Sequence, residues 1–290
     1  MKSRQNVLSR NMMRYGSLDD IIKKYGLLTA IDSAISSILK TVLRRFYRPR
    51  VTVYGLSEAL LLVKQIDVFE RYAYAVNEIN KISAENLSIL DVGAGGEGIS
   101  FFAGLLKPKC SFFLFDLQKD GFVGSSKNPV IIGDGCKLPF RNKAFDVVVS
   151  VDMVEHIPRQ IRHNFYPELK RISSKKIIIT CPLQNDDGLF QGGKYDKSFQ
   201  QYTERDRKYP EFNTAQHIAA GHPTVKEINR ELPNSAIQGY KNCDLWLKYM
   251  VFQRKPIIGL FSGLIYYLFW KKDDNKPPYW GAIIVTQPKE

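Results

Sequence analysis

The sequence predicts an α/β fold: a seven-stranded, mostly parallel sheet with helices on both faces, preceded by a helical N-terminal extension. Three observations carry this expectation. From Leu87 onward, short apolar runs alternate with helical stretches, as in a parallel sheet covered on both faces. A glycine-rich turn, Gly93-Ala94-Gly95-Gly96-Glu97-Gly98, follows the first run directly and opens a helix. Acids stand at Asp91, Asp116 and Asp134, in or at the ends of successive runs.

The elements follow in order. Residues 1–80 read as mostly helical. Leu28, Ile31, Ile35, Ile38 and Val42 recur at helical spacing within Leu27–Leu43, and Arg44, Arg45, Arg48 and Arg50 follow at once. Ser57–Lys81 is densely apolar, with Glu70, Arg71 and Glu78 as a polar face. The predicted strands are Leu87–Val92, Cys110–Asp116, Val130–Ile132, Phe145–Val151, Lys176–Cys181, Ala236–Tyr240 and Trp280–Gln287. Helices are expected at Glu97–Leu106, Ile157–Ile172 and Thr224–Leu232. The polar stretch Pro182–Phe212 reads as a long functional loop or insertion. The division is thus an extension over 1–80 and a domain over 81–290, with insertions at about 183–222 and 243–278.

The 290 residues are 44% hydrophobic and 24% charged, which excludes wholesale disorder. Cys110, Cys136, Cys181 and Cys243 are too scattered for a disulfide framework or a zinc ribbon. The net charge is +13, and residues 1–60 hold 11 basic against four acidic side chains. The remainder is closer to neutral, so the charge points to docking on an anionic surface more than to the reaction. The first residues show no long apolar segment and no small-residue cleavage site, so a cytoplasmic location is expected. Two segments suit peripheral contact with an anionic membrane at its inner face. One is Leu27–Leu43 with its arginines. The other is the uncharged Pro256–Trp270, too short to span a bilayer and flanked by Lys255, Lys271 and Lys272. Packing of either segment on the core is the competing expectation.

Gly93–Gly98 has the spacing G-x-G-x-x-G, which serves NAD, FAD and S-adenosylmethionine alike. Asp116 closes the second run, FFLFD, where a carboxylate can accept both ribose hydroxyls. Asp134 follows VIIG, where it can accept from an adenine amine. FDVVVSVDMVEHI and then ELKRI and IIITCP complete the pattern. From Leu87 to Leu183 these residues together resemble the class I S-adenosylmethionine-dependent methyltransferases, in particular the broad type 11 group. The resemblance implies a Rossmann-like sheet and S-adenosyl-L-methionine as cofactor. It places the methionine part on the turn at Asp91, Val92, Gly93, Ala94 and Gly95. The ribose then falls to Asp116 with Leu117, and the adenine to Asp134 with Gly135, while Val151 and Asp152 end the fourth strand beside the donor.

On the acceptor side, Asp152, Glu155 and His156 form D-x-x-E-H, with His217 and His222 later in the chain. Glu155, His156 and His217 are the candidate catalytic residues, with His156 or His217 as general base. An E-H at this position is common in the type 11 group without metal. In some branches E-x-x-E-H with a later histidine holds a divalent cation; here the first acid is Asp, and no metal is expected. Cys181 reads as a strand-end core residue, not a nucleophile. The expected reaction is methyl transfer, foremost to oxygen, on a small-molecule, lipid-linked or cell-envelope acceptor. The alternatives are an RNA methyltransferase, less favoured because no RNA-binding module is evident, and a non-enzymatic cofactor-binding protein.

Overall fold

The computed structural model describes residues 66–95, 98–118, 128–207, 211–255, 259 and 262–288. The amphipathic segment Leu27–Leu43 and the arginines after it lie outside the described residues.

Seven strands form one sheet in the order β3-β2-β1-β4-β5-β7-β6. They are β1 (Asn86–Val92), β2 (Lys109–Asp116), β3 (Val130–Ile132), β4 (Phe145–Val151), β5 (Ser173–Pro182), β6 (Ala236–Asn242) and β7 (Tyr279–Thr286). Pairing is parallel from β3 through β5, whereas β7 runs antiparallel to both β5 and β6. All seven predicted strands are present and the Rossmann-like arrangement holds. The central strands are apolar on both faces because both faces are covered. Leu90, Val148, Ile177 and Ile179 point to one layer, with Phe165, Tyr166, Leu169 and Ile172 of helix α2 (Phe165–Ile172). Ile89, Val147, Val149 and Ile178 point to the other. There they meet Tyr72, Ala75, Val76 and Ile79, one face of helix α1 (Ile66–Ile79). The end of the expected N-terminal extension is therefore part of the core.

Several helical expectations change in detail. Glu97–Leu106 contains a 3₁₀ helix, Gly98–Leu105, and its residue Glu97 lies outside the described residues. Ile157–Ile172 is helical only from Phe165, because two short 3₁₀ turns, Val154–His156 and Arg162–Asn164, carry the chain there. The polar stretch after β5 is not an open loop. It holds α3 (Gly192–Arg207), and α4 (Phe212–Ala220) follows it. Their polar faces hide the helical period, because side chains such as Asp196, Thr214 and His217 are buried as hydrogen-bonding groups. Thr224 caps α5 (Val225–Glu231), its hydroxyl accepting from the Glu227 amide. In the aromatic segment, α6 (Cys243–Phe252) packs Trp246 on Trp280 of β7, the rings stacked at 4.9 Å. A short helix α7 (Ser262–Ile265) then leads into a π-helical turn, Tyr266–Trp270. Among the described residues, no helix is long and apolar enough to cross a membrane.

Candidate functional site

The C-terminal ends of β1, β2, β3 and β4 lie side by side, where open parallel sheets bind ligands. After β1 the chain turns at Gly93, whose amide donates to Phe115 O at 2.8 Å, as does that of Ala94 at 3.2 Å. Val92 and Ala94 are buried and fix the turn from below. Asp91 is fully buried. Its Oδ2 accepts from the Ile99 amide at 2.6 Å, while Oδ1 has no hydrogen-bond partner among the described residues. Burial is the main cause that lifts the Asp91 pKa to about 7, against the Ile99 hydrogen bond and with help from the Asp116 charge. Position 98 must be glycine for two reasons. Its φ is +52°, and a Cβ there would come within 2.2 Å of Asp91 Oδ2.

Asp116 ends β2 and accepts from the Gly95 amide at 2.8 Å, which ties the glycine turn to the second strand. Leu117 follows it and is 65% exposed. Asp134, just past β3, accepts from the Cys136 amide at 2.8 Å, and Gly135 lies against Met153 and Phe165. Val151 is buried at the end of β4, and Asp152 after it has φ +49°. The expected cofactor-binding residues are thus gathered along one edge of the sheet.

That edge fits the expected cofactor. Among the described residues a Cβ at Gly95 would meet only Gly93 O at 3.9 Å, which leaves room for a ligand on this face of the turn. The unpartnered Asp91 oxygen suits an ammonium, and the Asp116 and Asp134 carboxylates suit hydroxyls and an amine. The exposed apolar side chains Leu117 and Ile132 offer flat surfaces between those acids.

Residues 90–177 match the family described as methyltransferase domain. Over that segment the chain carries a methyltransferase domain. No curated protein matches the sequence. Among solved structures, magnesium protoporphyrin IX methyltransferase from Synechocystis PCC 6803 with bound SAH is 12% identical. The match covers 86% of this chain and 100% of that one, with a TM-score of 0.45. The YcgJ protein from Bacillus subtilis is 14% identical over 77% of this chain and 99% of that one, with a TM-score of 0.47. Phosphoethanolamine N-methyltransferase 2 from Haemonchus contortus, in complex with phosphomonomethylethanolamine and S-adenosylhomocysteine, is 14% identical. There 82% of this chain and 61% of that chain are covered, with a TM-score of 0.46.

The chain has a second polar centre beyond β4 and β5. Glu155 and His156 stand on the turn after β4, and His217 comes from α4. The Nε2 atoms of His156 and His217 lie 3.2 Å apart, and His156 Nδ1 meets Gln216 Oε1 at 2.9 Å. His217 Nδ1 meets Asp196 Oδ2 at 2.7 Å, and His222 Nε2 meets the same oxygen at 2.9 Å. The Trp280 indole N–H donates to Asp196 Oδ1 at 2.8 Å. Glu155 is fully buried without a hydrogen bond, its Oε1 3.9 Å from His217 Nε2.

The electrostatics are ordered. Burial works against the Asp196 charge, but hydrogen bonds from His217 and His222 outweigh it and hold its pKa down to about 2. Burial also works against a charged His217, yet the Asp196 hydrogen bond and the Glu155 charge raise its pKa above the usual value. Burial lowers the pKa of His156, the His217 charge adds to this, and Glu155 opposes it. One proton between the two rings satisfies all of these tendencies.

Glu155, His156 and His217, the residues that the sequence suggests, lie within reach of one another, and Asp196, which it does not suggest, joins them. No spacing rule finds it, since it meets His217 and Trp280 from 21 and 84 residues away. Arg71 of α1 is another site residue that the sequence does not suggest. It pairs with Asp152 and lies over the Trp280 ring, 5.6 Å from its centroid. Asp152 is thereby turned to Arg71. Two groups, Glu155–His156–His217 and Asp196–His217–His222, have ligand atoms within 4.8 Å of one another. The second is already closed by direct hydrogen bonds. Cys181 is fully buried, and burial pushes its thiol pKa well up, which leaves no thiolate for nucleophilic attack.

Proposed function

We propose that this methyltransferase transfers a methyl group to the oxygen of a small or lipid-linked acceptor, with His156 as general base. The observation that carries the reading is the chain Asp196–His217–His156, which runs from the buried core to the turn after the donor strand. A sulfonium donor supplies an electrophilic methyl, and a hydroxyl acceptor must lose its proton as the new O–C bond forms and the C–S bond breaks. When the pair is neutral and the shared proton sits on His156 Nε2, Nδ1 presents a lone pair, and Gln216, whose Oε1 lies 2.9 Å from Nδ1, makes way. An acceptor hydroxyl in that place gives its proton to Nδ1, and the positive charge spreads through His217 toward Asp196. Donor alignment falls to Asp91, Asp116 and Asp134, and by-product S-adenosylhomocysteine leaves from the same edge.

The lipid-linked class is supported by the surface. Leu268 and Phe269 are 56% and 63% exposed, side by side on the π-helical turn, and Lys271 and Lys272 follow. An apolar pair beside cations suits the anionic inner face of a membrane.

The test is incubation of native cell extract with methyl-labelled S-adenosylmethionine and either wild type or His156→Gln. The expected result is label on oxygen in a lipid or small-molecule fraction, abolished in His156→Gln, whose S-adenosylhomocysteine affinity by calorimetry is unchanged. Label on RNA or on nitrogen would reject the reading. So would activity lost on exhaustive chelation and regained with a divalent cation, because a cation would then stand between Glu155, His156 and His217.

A further inference from the structure

The two histidines of the proposed base come from different connections, one after β4 and one after β5. His156 stands on a one-turn 3₁₀ segment and His217 on α4, so no single element sets their separation. Arg162 lies between them and is 1% exposed, the largest of the fully buried side chains. Its Nε and Nη2 donate to Ile157 O at 3.2 and 2.8 Å, the carbonyl next to His156. Nη2 also donates to Ala220 O at 3.5 Å and to Gly221 O, at the end of the helix that carries His217. Ala220 O also accepts from the Arg159 amide at 3.1 Å, so one backbone bond already joins the two connections, and Gly221 O, where the chain leaves the helix at φ +79°, is the acceptor that Arg162 adds. Nη1 faces the Glu227 carboxylate at 3.4 and 3.5 Å. Tyr166 holds that carboxylate with its hydroxyl at 3.0 Å.

We infer that Arg162 is a positioning residue, a buried clamp that fixes the His156–His217 separation by binding the backbone beside each ring. The clamp deepens the proposed base reading and rests on it for its effect on rate. Only a planar guanidinium serves, because it reaches both backbones and Glu227 at once, whereas an ammonium is a point charge. Burying the arginine without Glu227 would be costly, so the pair is held as a unit.

The experiment compares wild type, Arg162→Ala and Arg162→Lys, using ring-proton NMR titration of the four histidines, thermal unfolding and methyl incorporation in extract. In the wild type, His156 and His217 titrate apart, below and above the ordinary histidine value. In both variants the two values converge, and incorporation falls on the order of 100-fold, the cost of a displacement of about 1 Å. Affinity for S-adenosylhomocysteine stays unchanged. Guanidinium at non-denaturing concentration restores the separated titrations and the incorporation to Arg162→Ala and not to Arg162→Lys. An Arg162→Ala protein that keeps wild-type titrations overturns the inference, and so does one, folded or not, that guanidinium fails to restore. If titrations respond to variant and rescue while incorporation does not, the clamp stands and the base reading fails.

Discussion

Asp196→Asn isolates the buried end of the histidine chain. The carboxylate accepts from His217, His222 and Trp280 at 2.7, 2.9 and 2.8 Å. An amide has one acceptor oxygen, so the Trp280 N–H is left unpaired when that oxygen stays on the rings, and it is paired only when the NH2 turns both rings into acceptors. The depression of the Asp196 pKa from 3.8 to about 2 corresponds to about 2 kcal/mol of stability at neutral pH. That contribution is complete above the unfolded carboxylate value and is lost only as pH falls toward 2. A donor left unpaired adds a further cost of about 1–3 kcal/mol. The variant should therefore lose roughly 2–5 kcal/mol, read as a melting shift of about 4–15 °C. The diagnostic effect lies in the histidines. Without the Asp196 charge, His217 loses the partner that raises its pKa and falls below the usual value, because burial is then less opposed. His156 moves up, since a charged His217 no longer stands beside it. A pH–rate profile should accordingly have its acid limb shifted to higher pH. Titration by ring-proton NMR reads both shifts without any knowledge of the acceptor. A destabilised variant in which His217 still titrates above the ordinary range would refute the coupling.

Other outcomes follow from the donor site and the surface. Asp91 has a raised pKa, so its effect on stability is favourable below the unfolded carboxylate value and is lost as pH rises through about 7. Cofactor-free protein should lose on the order of 4 kcal/mol between about pH 4 and pH 7 from this group, and calorimetry should show proton release on S-adenosylhomocysteine binding near neutral pH. Gly98→Ala places a Cβ against Asp91 Oδ2 at a φ of +52°. It should weaken S-adenosylhomocysteine binding at least ~10-fold, since about 1–3 kcal/mol of strain falls on the turn. The double change Leu268→Ser and Phe269→Ser should lower cosedimentation with vesicles containing anionic lipid and leave the melting temperature in place. Equal recovery of wild type with neutral and anionic vesicles would reject the membrane contact.

The legibility of this protein in its sequence follows the kind of contact each part makes. The sheet was readable because burial on both faces leaves near-continuous apolar runs such as FFLFD and FDVVVSVD, and those runs survive any loop arrangement. The donor edge was readable because its residues lie at strand ends within one stretch of chain, so spacing substitutes for space. The acceptor side obeys neither rule. Helix α3 reads as a loop or insertion because Asp196 and Gln200 are buried, not exposed, and an apolar period cannot mark a face that packs through hydrogen bonds. The π-helical turn was equally hidden, since Tyr266 turns inward to Glu70 and Asp274 while Leu268 and Phe269 turn outward. Arg71 and Arg162 illustrate the same limit from the basic side. In the sequence they are two of 42 cations on a chain of excess positive charge. In the fold one pairs with Asp152 above Trp280, and the other binds the backbone beside His156 and at the end of α4. Charge that matters for the chemistry is therefore the buried minority, each member matched to an acid or a carbonyl. A charge count over the chain weighs the solvated majority instead.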